Sequence, residues 1–219
     1  MNQFIKSLAL LLLLSFSLQT IAADDLAAGI RSIQKEWAEI HYRTPKDKKV
    51  EKLVVLVKQT KELGNRYPTS AEPLIWQAIS LGTYAGAMGG IKTLFESLPA
   101  VKDAKVALEK AIQLDPQALN GAGPTTMGSF YYQVPGWPLA YGNKDKARAL
   151  LKQGLAISPD DVDANYFYGD FLLEQKEYKK AAEAMKKALG APARPGRALA
   201  DEGRKKQARQ KLNEIKTKL

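Results

Sequence analysis

A repeated spacing of 34 residues in the C-terminal half constrains the fold more than any other feature of this sequence. Three pairs of positions share the spacing, two with small side chains and one with large apolar side chains: Ala147 with Ala181, Gly154 with Ala188, and Leu151 with Met185. Small residues let two helices pack closely, and Pro159 cannot continue the helix that precedes it. A helix-turn-helix unit repeated at this period predicts an α-solenoid, in which each unit packs on its neighbours.

Apolar residues at helical spacing, interrupted by turn residues, extend this organisation to most of the chain. The breaks fall at Thr44-Pro45, Tyr67-Pro68 and Asp115-Pro116, and the segments between them each show one apolar face. We therefore predict an all-α domain over residues 24–196, built from about four antiparallel helix pairs of the repeat type.

Residues 197–219 predict a final amphipathic helix that caps the solenoid. Its apolar face holds Ala208, Leu212, Ile215 and Leu219, and such a helix covers the surface that the last repeat would otherwise expose. The segment also holds eight basic and three acidic side chains, a large part of the formal net charge of +10. A second role consistent with this charge is contact with an acidic protein or with anionic lipid head groups.

Residues 1–23 are predicted to be a secretory signal peptide. A short basic region ends at Lys6, an apolar run of about 11 residues extends from Leu8 to Leu18, and Ala22 and Ala23 offer small residues for cleavage. The run is too short to cross a bilayer as a helix. We therefore expect the mature chain in a bacterial periplasm, where contact with a membrane surface is open and nucleic acid is not an expected partner.

An insertion rich in aromatic residues interrupts the repeat at residues 130–143. A 12-residue stretch of it holds five of the chain's 18 aromatic side chains, and Pro135-Gly136-Trp137-Pro138 excludes a helix at its centre. Tyrosine and tryptophan suit binding surfaces because they combine a large apolar area with a polar group. Tyr132, Trp137 and Tyr141 are therefore predicted to contact a partner. The alternative is that these rings fill the core.

The sequence contains no arrangement typical of a catalytic or metal site. A zinc site needs several cysteine or histidine ligands, whereas this chain has no cysteine and one histidine, His41. It has neither a glycine-rich phosphate loop nor a nucleophile elbow. Asp160, Asp161 and Asp163 stand where a helix begins, and helix capping explains them. We expect no enzymatic activity, no cofactor and no bound metal.

The repeat positions resemble those of the tetratricopeptide repeat (TPR) superfamily. The strings YYQVPGWPLAYGNKDKARALLKQGLAISPDDVDANYFYGDFLLEQKEY and EPLIWQAISLG are similar to small secreted bacterial TPR proteins. These proteins are similar to the T component of tripartite ATP-independent periplasmic (TRAP) transporters, and the more distant eukaryotic regulators of microtubule dynamics show a comparable arrangement. In the transporter group, this component oligomerises and associates with the substrate-binding protein. Members are commonly lipid-anchored; with no cysteine to carry a lipid, this chain resembles a free helical adaptor.

The resemblance also implies which residues face a partner. In a TPR unit, the first helix of each pair lines the concave groove, which places Asp163, Tyr166 and Asp170 there. With Tyr132, Trp137 and Tyr141 in the insertion, they form the predicted binding surface.

These observations predict a non-catalytic periplasmic scaffold that binds a protein or peptide through its groove and aromatic insertion, with a link to a transport system. Two alternatives remain open. One is a carrier in which the insertion and the glycine-rich segment 86–90 enclose a small apolar ligand, as the T-component resemblance implies. The other is an envelope-associated protein whose basic tail rests on anionic lipid. A homo-oligomer is compatible with each.

Overall fold

The structure is a computed structural model that describes residues 23–89 and 94–219. The predicted signal peptide lies outside the described residues except at residue 23, and so does the last glycine of the segment 86–90. Apart from an isolated bridge between Gly136 and Gly142, the regular secondary structure in these ranges is helical. The prediction of an all-α fold is confirmed.

The helices of the described residues follow one another as consecutive pairs. They are α1 (23–42), α2 (Lys46–Arg66), α3 (Glu72–Met88), α4 (Leu94–Leu114), α5 (Ala118–Gln133), α6 (Lys144–Ile157), α7 (Val162–Glu174), α8 (Tyr178–Gly190) and α9 (Ala198–Lys216). Contacts join α1 to α2, α3 to α4, α5 to α6 and α7 to α8, and α9 packs on α8 and α7. This is the TPR-like solenoid with a C-terminal helix that the sequence predicts.

The residues that carry the 34-residue spacing lie at the contacts between helices. Five of them have no exposed surface: Ala147, Leu151, Ala181, Met185 and Ala188. Gly169 of α7 shows why small residues are needed, because a Cβ atom added there would lie 3.1 Å from Met185 Cε and 3.2 Å from Ala184 Cβ. The backbone of α7 therefore approaches α8 more closely than a larger side chain would allow.

Capping by Asp161 sets the start of α7. Its Oδ1 accepts hydrogen bonds from the backbone N–H groups of Asp163 (2.8 Å) and Ala164 (2.9 Å), as expected of an acidic N-cap. This cap orients the first turn of α7, where Asp163 lies.

The helix α5 includes the first residues of the aromatic insertion. The insertion was predicted at residues 130–143, but its first four residues belong to α5, and the loop is confined to residues 134–143. Packing is the reason: the Phe130 ring occupies space left by Gly82, where an added Cβ would lie 2.6 Å from the ring. The helix ends at Gln133. Val134 precedes Pro135, and the residue before a proline disfavours the helical conformation. We call residues 134–143 the aromatic loop.

Candidate functional site

The first helices of the pairs line a concave face, as the repeat predicts. Side chains of α1, α3, α5 and α7 meet there around a cavity of about 550 Å³, among them Trp37, Trp76, Phe130 and Tyr166. The C-terminal segment, by which we mean residues 194–219, lies on the remaining side. It contributes four lining side chains: Arg194, Arg197, Arg204 and Gln207. The concave face is therefore partly enclosed by the chain itself.

The helix α9 reaches across the concave face as well as covering the last repeat. Its apolar residues Ala208 and Ile215 lie in the core of the C-terminal repeats, as predicted. Its first turn contacts the N-terminal helices: Ala200 belongs to the same buried cluster as Trp37 of α1. Farther along, Gly203 lies against the ring of Tyr42. The first and last helices of the described chain are thus in contact.

A network of ion pairs joins the C-terminal segment to α7. Its contacts are Arg194 Nη1 to Asp161 Oδ2 (3.2 Å), Arg194 Nη1 to Asp163 Oδ2 (2.9 Å), Arg194 Nη2 to Asp201 Oδ1 (2.6 Å), Arg204 Nε to Asp163 Oδ1 (2.6 Å) and Lys211 Nζ to Asp170 Oδ1 (2.8 Å). Part of the basic tail is therefore paired with the acids that were predicted to line the groove. Removing one partner of such a pair destabilises the fold, because the other charge is then buried without a counter-charge.

Asp163 and Arg204 are at the centre of this network. Burial alone would raise the pKa of Asp163, but the guanidinium groups of Arg204 and Arg194 outweigh burial and hold that pKa below its usual range. The Arg204 side chain also lies over the rings of Tyr166 and Phe167, with Cζ 4.5 Å and 4.6 Å from their centroids. Arg204 thus joins α9 to α7 through both charge and ring contacts.

Tyr132 and Asp170 form a second buried contact. The Tyr132 hydroxyl donates a hydrogen bond to Asp170 Oδ2 (2.8 Å) and accepts one from Gln133 Nε2 (3.1 Å). Burial and the nearby Asp170 carboxylate raise the pKa of Tyr132 well above its usual value. The structure thus brings four of the six predicted binding residues together around α7, and the chain itself contacts all four: Tyr132, Asp163, Tyr166 and Asp170.

Tyr141 lies apart from that group and attaches the aromatic loop to α4. Its hydroxyl donates a hydrogen bond to the backbone oxygen of Val101 (3.1 Å). Its ring meets the ring of Tyr131 edge to face, with centroids 5.4 Å apart, and Lys105 Nζ lies 5.7 Å from its centroid. Burial raises the pKa of Tyr141. The hydroxyl and the ring of Tyr141 therefore both contact other residues of the chain.

Trp137 is the sixth predicted residue, and 90% of its surface is exposed. The aromatic loop that carries it is closed at its base by backbone hydrogen bonds. The Asn143 N–H donates to the Tyr131 oxygen (2.8 Å), and the Gly142 N–H donates to the Pro135 oxygen (2.9 Å). The loop therefore holds the large apolar ring of Trp137 in solvent. Trp137 differs in this from Tyr141, which is hydrogen-bonded to α4.

His41 lines the cavity and has an unusually acidic pKa. Its ring stacks on Trp37, with centroids 4.9 Å apart and an interplanar angle of 8°. Burial, together with the positive charges of Arg204 and Lys49, lowers its pKa to about 4. At neutral pH the imidazole is uncharged.

Acid is expected to destabilise the fold through His41. The unfolded chain binds a proton as the pH falls below about 6.5, whereas the folded chain does so only near a pKa of about 4. The contribution of this group is therefore complete above pH 6.5 and is lost between pH 6.5 and 4, by up to about 3 kcal/mol. Because His41 is the single histidine, its NMR titration reports the folded pKa directly. A His41→Gln variant should flatten the pH dependence of unfolding in this range, and a folded pKa near 6.5 would contradict the assignment.

In residues 23–89 and 94–219, no group of three or more histidine, cysteine, aspartate or glutamate side chains is placed to hold a metal ion. In the same ranges, no helix combines the length and the hydropathy needed to cross a bilayer.

The segment that contains the 34-residue spacing is similar to a known protein family. Residues 139–200 match the family model of the tetratricopeptide repeat. This segment is similar to the tetratricopeptide repeat. It contains α6, α7 and α8 and the first residues of α9. The chain is also similar to a solved structure, the crystal structure of MamA protein, at 19% identity over 84% of this chain and 91% of that chain, with a TM-score of 0.43. No curated protein sequence matches, and the resemblance to the T component of TRAP transporters stays a prediction.

Three residues at the concave face of the TPR-like solenoid were not predicted from the sequence. Trp76 was not singled out in the sequence, and Arg197 and Arg204 were predicted only as parts of the basic C-terminal helix. A usable signal was present, because the TPR segment places acidic residues on α7 and a tail with excess positive charge follows it. Complementary charges in one chain favour such a contact.

Proposed function

We propose that this chain is a non-catalytic interaction scaffold that binds a protein partner through its aromatic loop. The TPR match supports a role in protein–protein interaction in general. The observation that carries the more specific proposal is the 90% exposure of Trp137 on a loop closed by backbone hydrogen bonds. Tryptophan is enriched among the residues that dominate binding energy at interfaces, and a preformed loop lowers the ordering cost of binding.

The loop is a better docking site than the groove acids in this structure. Asp163 and Asp170 already contact Arg204 and Lys211, so a partner that used them would have to displace α9. The loop needs no such displacement, and Leu139, two residues after Trp137 and 49% exposed, adds a second apolar side chain. The loop therefore offers the apolar centre that protein interfaces commonly have.

The site of action that we propose is the periplasm. Residues 1–23 have the basic region, apolar run and small residues of a cleaved signal peptide. The resemblance to the T component supports a partner within a transport system. An exported partner is thus the first to seek.

A photo-crosslinking amino acid at position 137 tests the proposal. In an envelope extract, p-benzoylphenylalanine at this position should give one discrete protein adduct. The matched control carries the same group at position 106, because Val106 is 65% exposed and belongs to α4 rather than to the loop. Adducts that form equally at both positions would contradict a docking site at the loop.

Replacing Trp137 with alanine is expected to weaken binding of that partner by about 30-fold, as for a central interface tryptophan. Because the ring is almost fully exposed, the free energy of unfolding should change by less than about 0.5 kcal/mol. Calorimetric titration with the purified partner measures the first quantity, and urea unfolding the second. Val106→Ala serves as the control. Equal affinity of Trp137→Ala and Val106→Ala would exclude Trp137 as the anchor.

A further inference from the structure

The side chains that line the cavity on the concave face have no part in the proposed binding of a partner by the aromatic loop. At about 550 Å³ it falls within the usual range for small-molecule sites. Five basic and three acidic side chains line it, so the lining carries a formal excess of positive charge. Aromatic rings form much of the rest, including those of Trp37, Trp76, Phe130, Tyr166 and Phe167.

The charged groups of this lining differ in whether they are paired. Arg194 contacts three carboxylates, and Arg204 contacts Asp163. Lys49 Nζ donates a hydrogen bond to the backbone oxygen of His41 (2.6 Å). Arg197, in contrast, makes no ion pair with a carboxylate of the described residues, and its Nε is buried without a hydrogen-bond acceptor there. It is the cavity arginine with donor capacity left over.

A second unsatisfied donor belongs to the residue beside Arg197. Trp76 Nε1 is also buried without an acceptor among the described residues. The guanidinium carbon of Arg197 lies 5.1 Å from the centroid of the Trp76 ring, and both side chains line the cavity. Leaving a buried donor unpaired is costly, so two neighbouring ones at one cavity indicate an acceptor that is supplied from outside the chain.

We propose that the cavity binds a small organic carboxylate with an apolar body, with Arg197 and Trp76 as hydrogen-bond donors to its carboxylate. A negatively charged acceptor suits both donors and the positive lining, and hydrogen bonds to charged groups are the stronger ones. The ring of Phe130 and the stacked Trp37 face the apolar body. A phosphate-sized ion without such a body would leave these walls uncovered, and a protein segment would require α9 to move away.

Calorimetric titration with octanoate and benzoate, each beside its neutral amide, tests the proposal. Each acid is expected to bind at one site per chain, and octanamide and benzamide at least about tenfold more weakly. Inorganic phosphate should not compete. Equal affinity of the acids and the amides, or no binding by either acid at millimolar concentration, would overturn the proposal.

Variants at the two donors locate the site. Arg197→Gln and Trp76→Phe should each weaken octanoate binding by about tenfold, with circular dichroism used to confirm that both are folded. Because Arg209 is exposed on α9, Arg209→Gln removes the same charge without touching the cavity and should bind like the unmodified chain. Trp137→Ala should also bind octanoate normally, which keeps this test independent of the loop. If Arg197→Gln and Arg209→Gln behave alike, the donors are misassigned.

Discussion

Replacing Arg204 with alanine is expected to lower the free energy of unfolding by about 3–5 kcal/mol, since it leaves a buried carboxylate without its main partner. Arg204 is 8% exposed, and its Nε lies 2.6 Å from Asp163 Oδ1. Its loss would also remove the contacts with the rings of Tyr166 and Phe167. Arg194 would still contact Asp163 (2.9 Å), which favours the lower part of this range. Urea unfolding followed by circular dichroism measures the change.

Two further variants separate charge from position on α9. Arg209 is exposed on the same helix, and Arg209→Ala should change the free energy of unfolding by less than about 0.5 kcal/mol. Arg204→Lys keeps the positive charge but loses the planar group that reaches both the carboxylate and the rings, so its stability should fall between the other two. If Arg204→Ala proves as stable as Arg209→Ala, the buried ion-pair network does not hold α9 in place.

The C-terminal repeat could be predicted from the sequence because its contacts are local and periodic. Ala147 and Ala181 recur at the 34-residue spacing that two stacked helix pairs require, and both are fully buried. The cap of α7 was similarly predictable, since an acidic residue before a helix accepts hydrogen bonds from its first turn. In these cases the relevant neighbours lie within one or two helices along the chain.

The position of α9 could not be predicted in the same way. Its apolar face, with Ala208 and Ile215, was enough to predict docking on the last repeat. The contact of Gly203 with Tyr42, however, depends on the curvature that accumulates over all the repeats, and no local pattern encodes that curvature. The enclosure of the concave face is therefore a property of the whole solenoid.

The aromatic insertion shows a third situation, in which the sequence left two interpretations open and each applies to different residues. Tyr132 is buried and Tyr141 is hydrogen-bonded to α4, so these rings support the structure. Trp137 is exposed, as a binding residue would be. Aromatic content alone does not distinguish these roles, because it does not tell which side of the loop faces the helices.

The contact between the two ends of the solenoid can be examined with introduced cysteines, since the chain has none of its own. A side chain added at position 203 would meet the Tyr42 ring, and Tyr42→Cys removes that ring and leaves room for a thiol. The combination of Tyr42→Cys and Gly203→Cys therefore places two thiols next to each other only if α9 lies across the concave face. Tyr42→Cys with Lys206→Cys is the matched control, because Lys206 is exposed on the same helix.

The rate at which a short bifunctional thiol reagent crosslinks these two pairs in the folded protein tests directly whether α9 closes the concave face. The closed solenoid predicts rapid crosslinking between positions 42 and 203 in nearly all molecules, slow crosslinking between positions 42 and 206, and no difference between the pairs in urea. Equal rates for the two pairs in the folded protein would contradict the closure of the concave face by α9, and with it the enclosed cavity.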